Sequence, residues 1–180
     1  MRAREREAWA STPLPAVIVP NAVTAGVAGS VRERLETAGY ARYTLLDRAS
    51  YDEAVAVDEP AVVDALAAIA SEVTGRSLVA DRPRVLRFGP GDYSLVRHDR
   101  VHDERPVELV LDLSATSVPG AEVHYRHRGQ VFFTFPCSPG ALALVERGPT
   151  VLCNHTYLSR RHANASVVRL LLLLRNRHAG

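Results

Sequence analysis

The sequence contains no lysine, so all 22 of its basic residues are arginines. It has a single methionine and little isoleucine beside abundant alanine and valine. Such a composition is typical of a gene from a GC-rich bacterial genome. The number of arginines is therefore no sign of phosphate or carboxylate binding, and each arginine has to be interpreted from its position.

Cysteines and long apolar runs are also scarce. The two cysteines, Cys137 and Cys153, do not make a disulfide framework. The longest apolar run, residues 167–174, is interrupted by Arg169 and is too short to cross a bilayer. The charged N-terminus has no apolar segment behind it, unlike a signal peptide. These absences predict a soluble, cytoplasmic protein that has no membrane partner.

The balance of charges excludes a further class of partner. With 22 basic and 20 acidic residues the net charge is +2, which is too small to indicate nucleic-acid binding. A chain of 180 residues with 47% hydrophobic content suits one globular domain with a core of its own. We expect a flexible arm over residues 1–14 and a single domain over residues 15–180. The sequence does not indicate an oligomeric state.

Periodicity and turn residues predict helices in the first half of the chain and mostly strands in the second. Helical spacing occurs over residues 22–38, and a proline-led start precedes a second helix that ends at Gly75. Strands are expected at 15–20, 40–46, 84–88, 92–97, 107–113, 121–126, 130–135, 141–145, 150–155 and 167–175. This order predicts an α+β protein with its helices packed on one face of a β-sandwich or barrel.

A cluster of histidines and aspartates follows the predicted strand at 92–97. His98, Asp99, His102 and Asp103 are typical of a metal site or an acid–base pair, although a solvated hairpin tip would also carry such residues. At about 3.3 Å per residue, an extended chain holds His98 and His102 about 13 Å apart, too far to share one metal ion. The chain must therefore turn between them, or only one of them is a ligand.

Two further candidates lie near the C-terminus. His155 is the best partner for the histidine–aspartate cluster, and with Cys153 on the same strand face it suggests a weaker zinc candidate. Both residues are equally well explained as core residues. Arg169 interrupts the most apolar strand. If Arg169 is buried, it needs a carboxylate from the protein or from an anionic ligand, whereas an outward-facing arginine needs none.

The order of these motifs resembles that of the iron(II)/2-oxoglutarate-dependent dioxygenases of the prolyl-4-hydroxylase-like type, over residues 15–175. The parts that carry the resemblance are Phe88-Gly89-Pro90-Gly91-Asp92-Tyr93, His98-Asp99, residues 107–113, Pro119-Gly120-Ala121-Glu122, residues 139–144, His155 and Arg169. That family has a double-stranded β-helix (jelly-roll) core. The resemblance therefore implies such a core here, with the N-terminal helices packed on one sheet.

The resemblance also implies a metal centre and a cosubstrate site. For iron(II), the implied ligands are His98, Asp99 and His155, with His102 in reserve. For 2-oxoglutarate, the implied residues are Arg169, which would hold the far carboxylate, and Tyr93, which would line the pocket.

The His-x-Asp motif of that family is altered in this chain. If His98 is the first ligand, Arg100 occupies the carboxylate position. If Asp99 occupies the carboxylate position, Arg97 stands where the first histidine would be. A bulge that turns both His98 and Asp99 inward would restore the ligand set, as would a turn that brings in His102 or Asp103.

The resemblance predicts an oxygenase that hydroxylates a small molecule, with a place in bacterial specialised metabolism suggested by composition. Two alternatives remain open on the sequence. One is a jelly-roll domain that has lost catalysis and binds a ligand or a protein. The other is a cupin-like metal enzyme that uses three histidines and no 2-oxoglutarate.

Overall fold

A computed structural model describes residues 2–97 and 106–177. Within these ranges the helices are α1 (Ala3–Ala10), α2 (Ala25–Ala38) and α3 (Pro60–Thr74). The strands of the first half are β1 (Ala16–Val19), β2 (Tyr40–Leu45), β3 (Ala49–Ala54), β4 (Leu78–Ala80), β5 (Arg84–Phe88) and β6 (Tyr93–Arg97). Those of the second half are β7 (Val107–Asp112), β8 (Glu122–His127), β9 (Gln130–Pro136), β10 (Leu142–Glu146), β11 (Val151–His155) and β12 (Val167–Asn176).

The strands form one antiparallel sheet in the order β1-β10-β7-β12-β5-β3-β6-β11-β8-β9, with β2 paired to β3 and β4 paired to β12. The sheet folds over so that its two halves face each other. Val110 and Leu171 from one half belong to the same core cluster as Val123 and Cys153 from the other. This is the double-stranded β-helix that the sequence predicted, and we call the space between its halves the barrel interior.

The helices cover the outer face of the sheet half that contains β7 and β12. Val31 of α2 and Leu66 of α3 are fully buried in one cluster with Leu109 and Leu170. Because successive strand residues point to opposite faces, both faces of these central strands are buried, which explains their nearly continuous apolar sequence. No helix in the described ranges has the length and apolar character needed to cross a bilayer.

The packing of strand β12 determines the direction in which the side chain of Arg169 points. Leu170 and Leu172 pack towards the helices, whereas Val167 and Leu171 pack into the barrel interior. Arg169 lies in alternation with this second pair, so it shares their face. Its residual exposure of 1% confirms that the side chain is inside the barrel.

The N-terminal segment differs from the flexible arm predicted for residues 1–14. Residues 3–10 form α1, whose Trp9 is buried in the core between the helices and the sheet. The backbone N–H of Arg2 also donates to Glu72 of α3 at 3.3 Å. Part of the predicted arm is therefore packed on the domain, because an indole of this size stabilises any segment that can bury it.

Candidate ligand site in the barrel interior

Arg169 is the largest fully buried side chain of the described chain, and it reaches across the barrel interior. One terminal nitrogen, Nη1, donates to Nδ1 of His155 at 2.8 Å. The other, Nη2, donates to the backbone carbonyl of Ala121 at 2.8 Å. The remaining nitrogen, Nε, has no hydrogen-bond partner among the described residues. The guanidinium therefore keeps donor capacity that residues 2–97 and 106–177 leave unused.

The charge of Arg169 is only weakly compensated. No carboxylate oxygen of the described residues lies within 4.0 Å of its nitrogens. Burial lowers the pKa of Arg169 below its usual value, and the negative charge of Asp112 opposes that shift. Because an arginine is hardly ever neutral in a protein, the charge stays inside the barrel. A carboxylate placed beside it would be strongly stabilised.

Asp112 is the carboxylate whose negative charge acts most strongly on Arg169, and the sequence analysis missed it. It is fully buried, and it faces Arg169 as the register partner across the β7–β12 pair. Its two carboxylate oxygens accept the backbone N–H groups of Ser114, at 2.8 Å, and Ser138, at 2.6 Å. Asp112 thus holds two loops at the edge of the barrel interior. The signal that the sequence does offer is an acidic residue at the end of an otherwise apolar strand run.

His155 lies at the end of β11 and is also buried. Its ring stacks on Phe88 of β5, with centroids 4.7 Å apart and planes inclined by 19°. Because a guanidinium can only donate, Nδ1 of His155 accepts the hydrogen bond from Arg169. The neutral ring then carries its hydrogen on Nε2. His155 and Arg169, which the resemblance assigned to different ligands, are in direct contact.

These contacts determine which groups fit the interior. A carboxylate fits as the residues stand, because the Arg169 charge is buried without an ion pair in the described chain. A metal ion requires the lone pair of a ring nitrogen, and its ligand histidine normally donates from the other nitrogen. His155 therefore fits a metal ion once Arg169 is drawn off Nδ1. By themselves the described residues fit a carboxylate, and towards a metal they supply one of the predicted ligands, His155.

The other predicted metal ligands, His98, Asp99 and His102, lie outside the described residues, as does Asp103. Within the described ranges no three potential ligands of the types His, Cys, Asp and Glu cluster closely enough to hold a metal ion. The strand that leads towards them is irregular. Between the pairs Ser94–His155 and Arg97–Cys153, three steps on β6 oppose two on β11, which is a bulge.

The bulge shifts the alternation of β6 just before His98.

On strand β6, Tyr93 and its neighbour Ser94 point to opposite faces. Ser94 is the register partner of His155 and is buried, so it shares the face on which His155 lies. Tyr93, one position earlier, points to the opposite side of the strand. Ser94 is the residue of β6 that the sequence analysis missed, and the role predicted for Tyr93 stays a prediction.

The turn before β6 is held by a contact between Arg42 and Asp92. Asp92 accepts from the backbone N–H of Gly89 at 2.8 Å, from the hydroxyl of Ser50 at 2.9 Å, and from Arg42 through both terminal nitrogens. Gly91 has φ of 96° and donates its N–H to the carbonyl of Leu158. The Gly-Pro-Gly turn therefore fixes where β6 starts relative to the end of β11.

A separate buried polar cluster lies further along β7. Glu108 accepts from the hydroxyl of Tyr125 at 3.0 Å and pairs with Nη1 of Arg147. All three side chains are buried. Glu108 lies four residues before Asp112 on the same strand face, about 13 Å away at the rise of a strand. We assign this cluster to the structure of the barrel, since its charges pair with each other.

The weaker candidates have structural explanations. Cys137 and Cys153 are buried and are not joined in a disulfide bond, and burial raises the pKa of Cys137, which keeps it protonated. On the β8–β9 hairpin, His124 contacts Glu122 at 2.7 Å and His127 contacts Thr150 at 3.1 Å.

Comparisons with known proteins address the fold. No family model matches the sequence, and none of the curated proteins matches it either. Solved structures do match. A prolyl-4-hydroxylase from Pseudomonas putida superposes with a TM-score of 0.71 at 14% identity, covering 99% of this chain and 100% of that one.

Two further matches come from other enzymes. SnoK, a non-haem α-ketoglutarate-dependent carbocyclase from nogalamycin biosynthesis, gives a TM-score of 0.70 at 12% identity over 98% of this chain and 84% of that one. HygX from Streptomyces hygroscopicus, with nickel and 2-oxoglutarate bound, gives 0.66 at 12% identity over 98% and 87%. At these identities the likeness establishes the fold alone. It confirms the jelly-roll architecture and, at the level of the fold, the predicted resemblance.

Proposed function

We propose that this chain, which has the fold of the 2-oxoglutarate- and iron(II)-dependent oxygenases, is itself such an oxygenase and hydroxylates a small molecule. The observation that carries the proposal is Arg169. A guanidinium is buried in the barrel interior with no ion pair among the described residues, and it lies against His155. A fully buried arginine left without a counter-ion is costly, so its presence favours a bound anion.

Arg169 would hold the far carboxylate of 2-oxoglutarate. Its hydrogen bond to Ala121 fixes one edge of the guanidinium, so the orientation of the group is set before the ligand arrives. Asp112 would keep the guanidinium in place through its charge while its own oxygens stay on the backbone N–H groups of Ser114 and Ser138.

His155 would be a ligand of iron(II), with His98, Asp99 and His102 as the predicted partners from the adjoining segment. When bound, iron(II) and 2-oxoglutarate together supply the activation of dioxygen that a hydroxylation needs. Phe88 covers the ring of His155 with an apolar surface, which orients the ring and excludes water from it.

The proposed substrate class is supported by the names of two of the structural neighbours. SnoK is named for nogalamycin biosynthesis, and HygX comes from a streptomycete. The arginine-only composition favours a similar bacterial source. We therefore propose a small molecule of bacterial specialised metabolism as the substrate and the cytoplasm as the compartment.

The test is a calorimetric titration with 2-oxoglutarate in the presence of Mn²⁺, which replaces iron(II) without reacting with dioxygen. Arg169→Met should weaken 2-oxoglutarate binding by about a hundredfold, since a hydrogen bond to a charged group contributes about 1.5–3 kcal/mol. Arg126→Met is the matched control. Arg126 donates a hydrogen bond to Asn154, the neighbour of His155 on strand β11, but it lies outside the barrel interior. Equal binding by all three proteins would contradict the proposal.

One observation favours a second function. The hydrogen bond from Arg169 occupies Nδ1 of His155, as expected of a jelly-roll domain that binds a carboxylate without a metal. In that case 2-oxoglutarate or a similar anion would bind equally well with and without Mn²⁺. His155→Ala would then leave the metal content of the protein unchanged.

A further inference from the structure

Asp112 is a buried carboxylate that lies beside Arg169 but does not pair with it. The two residues are register partners on β7 and β12, and both are buried. The β-carbons of such partners are about 4.5–5.5 Å apart, so the Asp112 carboxylate can reach Nε of Arg169 by a change of rotamer. In the structure none of its oxygens lies within 4.0 Å of a nitrogen of Arg169.

Two loops keep the Asp112 carboxylate away from the guanidinium. Oδ1 accepts the backbone N–H of Ser114 at 2.8 Å, and Oδ2 accepts that of Ser138 at 2.6 Å. Hydrogen bonds from an N–H to a carboxylate are stronger than those between neutral groups. The backbone of Asp112 is fixed as well, since it donates to Ala141 at 3.0 Å and accepts from Gly140 at 2.9 Å.

We propose that these loops tether Asp112 and so keep Arg169 available for the carboxylate of a ligand. Released from the loops, Asp112 would pair with Arg169 and occupy donors that the ligand needs. Asp112 and the residues that hold its loops are therefore positioning residues of the carboxylate site. The inference rests on the part of the proposed function that places a carboxylate at Arg169, and it is independent of the metal.

Arg32 of helix α2 holds one of the two loops from outside the barrel. Its Nη1 donates to the carbonyls of Leu113, at 2.6 Å, and Ser114, at 3.3 Å. Among the described residues no carboxylate oxygen lies within 4.0 Å of Arg32, so its hydrogen bonds go to the loop rather than to an acid. A cavity of about 360 Å³ lies beside this contact, between α2 and the two loops. The loop therefore has room to shift when Arg32 is removed, and Arg32 acts on Arg169 through Ser114 and Asp112.

The test compares variants in the titration with 2-oxoglutarate and Mn²⁺. Arg32→Met should weaken 2-oxoglutarate binding by about threefold to tenfold, the range expected for one hydrogen bond. Arg32→Lys should recover most of the affinity, because an ammonium group also donates to carbonyls. Arg34→Met is the matched control and should bind like the unmodified protein, since Arg34 lies on the same helix but pairs with Glu59.

A variant of Asp112 separates the tether from a general loosening of the loop. Asp112→Asn can still accept one of the two N–H groups, but it has no charge to offer Arg169 or to repel a ligand carboxylate. It should bind 2-oxoglutarate about tenfold more tightly, as expected when one of two neighbouring like charges is removed. In this background Arg32→Met should have no effect. If it weakens binding as much with Asn at position 112 as with Asp, the tether is wrong.

A second readout follows the tether itself and does not require Asp112→Asn to fold. An amide proton that donates to a carboxylate resonates at unusually high frequency, so the signals of Ser114 and Ser138 report the position of Asp112. In ligand-free Arg32→Met the Ser114 signal should move to lower frequency, whereas Arg34→Met should leave it in place. A Ser114 signal unmoved by Arg32→Met would overturn the tether.

The outcomes distinguish the tether from the proposed function. If 2-oxoglutarate binding depends on Arg169 but Arg32→Met binds as tightly as Arg34→Met, the tether is wrong and the proposed function stands. If neither the unmodified protein nor Asp112→Asn binds 2-oxoglutarate, the proposed function is wrong and the tether falls with it.

Discussion

Arginine residues in this chain have opposite roles at the two ends of strand β7. Near its end, Asp112 stabilises the charge of Arg169 from a distance greater than that of an ion pair. Near its start, Glu108 pairs directly with Arg147, so each of these two buried charges has a counter-ion. Burial is similar in both places. This difference in pairing is why we propose a ligand-binding role for Arg169 and a structural role for Arg147.

The buried pair of Glu108 and Arg147 yields a prediction about stability. Glu108→Leu should lower the free energy of unfolding by about 3–5 kcal/mol, because it leaves the Arg147 charge buried without its carboxylate. The double variant with Arg147→Met should lose less than the sum of the two single losses. Urea unfolding measures both.

The neighbouring surface pair provides the control. Glu146 pairs with Arg76 at 2.9 Å and is partly exposed. Glu146→Gln should cost only about 0–1 kcal/mol, as expected of an exposed pair. If Glu108→Leu costs no more than Glu146→Gln, the assignment of the Glu108 cluster to barrel stability is wrong.

The sequence alone does not predict which face of strand β12 carries the side chain of Arg169. The run from Val167 to Leu174 is apolar on both faces, so its pattern does not say whether Arg169 points in or out. Tertiary packing settles this, since helices cover one face of β12 and the opposite sheet half covers the other. Asp112 escaped attention for the same reason.

At the scale of elements, the turn between β5 and β6 depends on the ionised form of one carboxylate. Burial of Asp92 would raise its pKa, but hydrogen bonds from Arg42, the Gly89 N–H and Ser50 outweigh burial and lower it. A group with a lowered folded-state pKa stabilises the fold fully above its unfolded value. That contribution is lost as the pH falls through the folded-state pKa.

We therefore predict that the stability difference between the unmodified protein and Asp92→Asn depends on pH. The difference should be constant above about pH 4, near the unfolded pKa of an aspartate, and should shrink at lower pH. Urea unfolding between pH 6 and pH 3 measures it. Asp58→Asn, at an exposed aspartate, should show no such trend, and a difference that is independent of pH for Asp92→Asn would contradict the role of the turn.

Most strands were predictable because glycine and proline separate them clearly. The predicted strands at 84–88 and 107–113 agree with β5 and β7 to within one residue. Strand β3, with the sequence ASYDEA, was not predicted because it lacks an apolar pattern. Its acidic residues form ion pairs with arginines of the neighbouring strand β5 instead of packing in a core. Strand β4 has three residues, too few for a period to appear.

At the scale of the molecule, the core has two layers that meet at the β7–β12 half of the sheet. One layer lies between helices and sheet, and the other fills the barrel interior. The first layer needs α1 as well as α2 and α3, because Trp9 closes it at 5% exposure. The short polar helix gave little sign of this in the sequence, since one tryptophan carries the whole contact.

Trp9→Ala should therefore lower the free energy of unfolding by about 3–5 kcal/mol, as expected for a large aromatic removed from a core. Urea unfolding is again the measurement. Leu46→Ala is the control, since Leu46 is 83% exposed and should change stability by no more than about 0.5 kcal/mol. An equally small effect of Trp9→Ala would support the flexible arm that the sequence predicted.

The most direct test of the proposed function is an anaerobic titration of the metal-free protein with iron(II) and then 2-oxoglutarate, followed in the visible spectrum. We predict a weak absorption band in the green region that appears only when both are present, because it requires 2-oxoglutarate to chelate protein-bound iron. Arg169→Met should show no band at the same concentrations. If no band and no iron uptake are seen in the unmodified protein, the proposed oxygenase function is wrong.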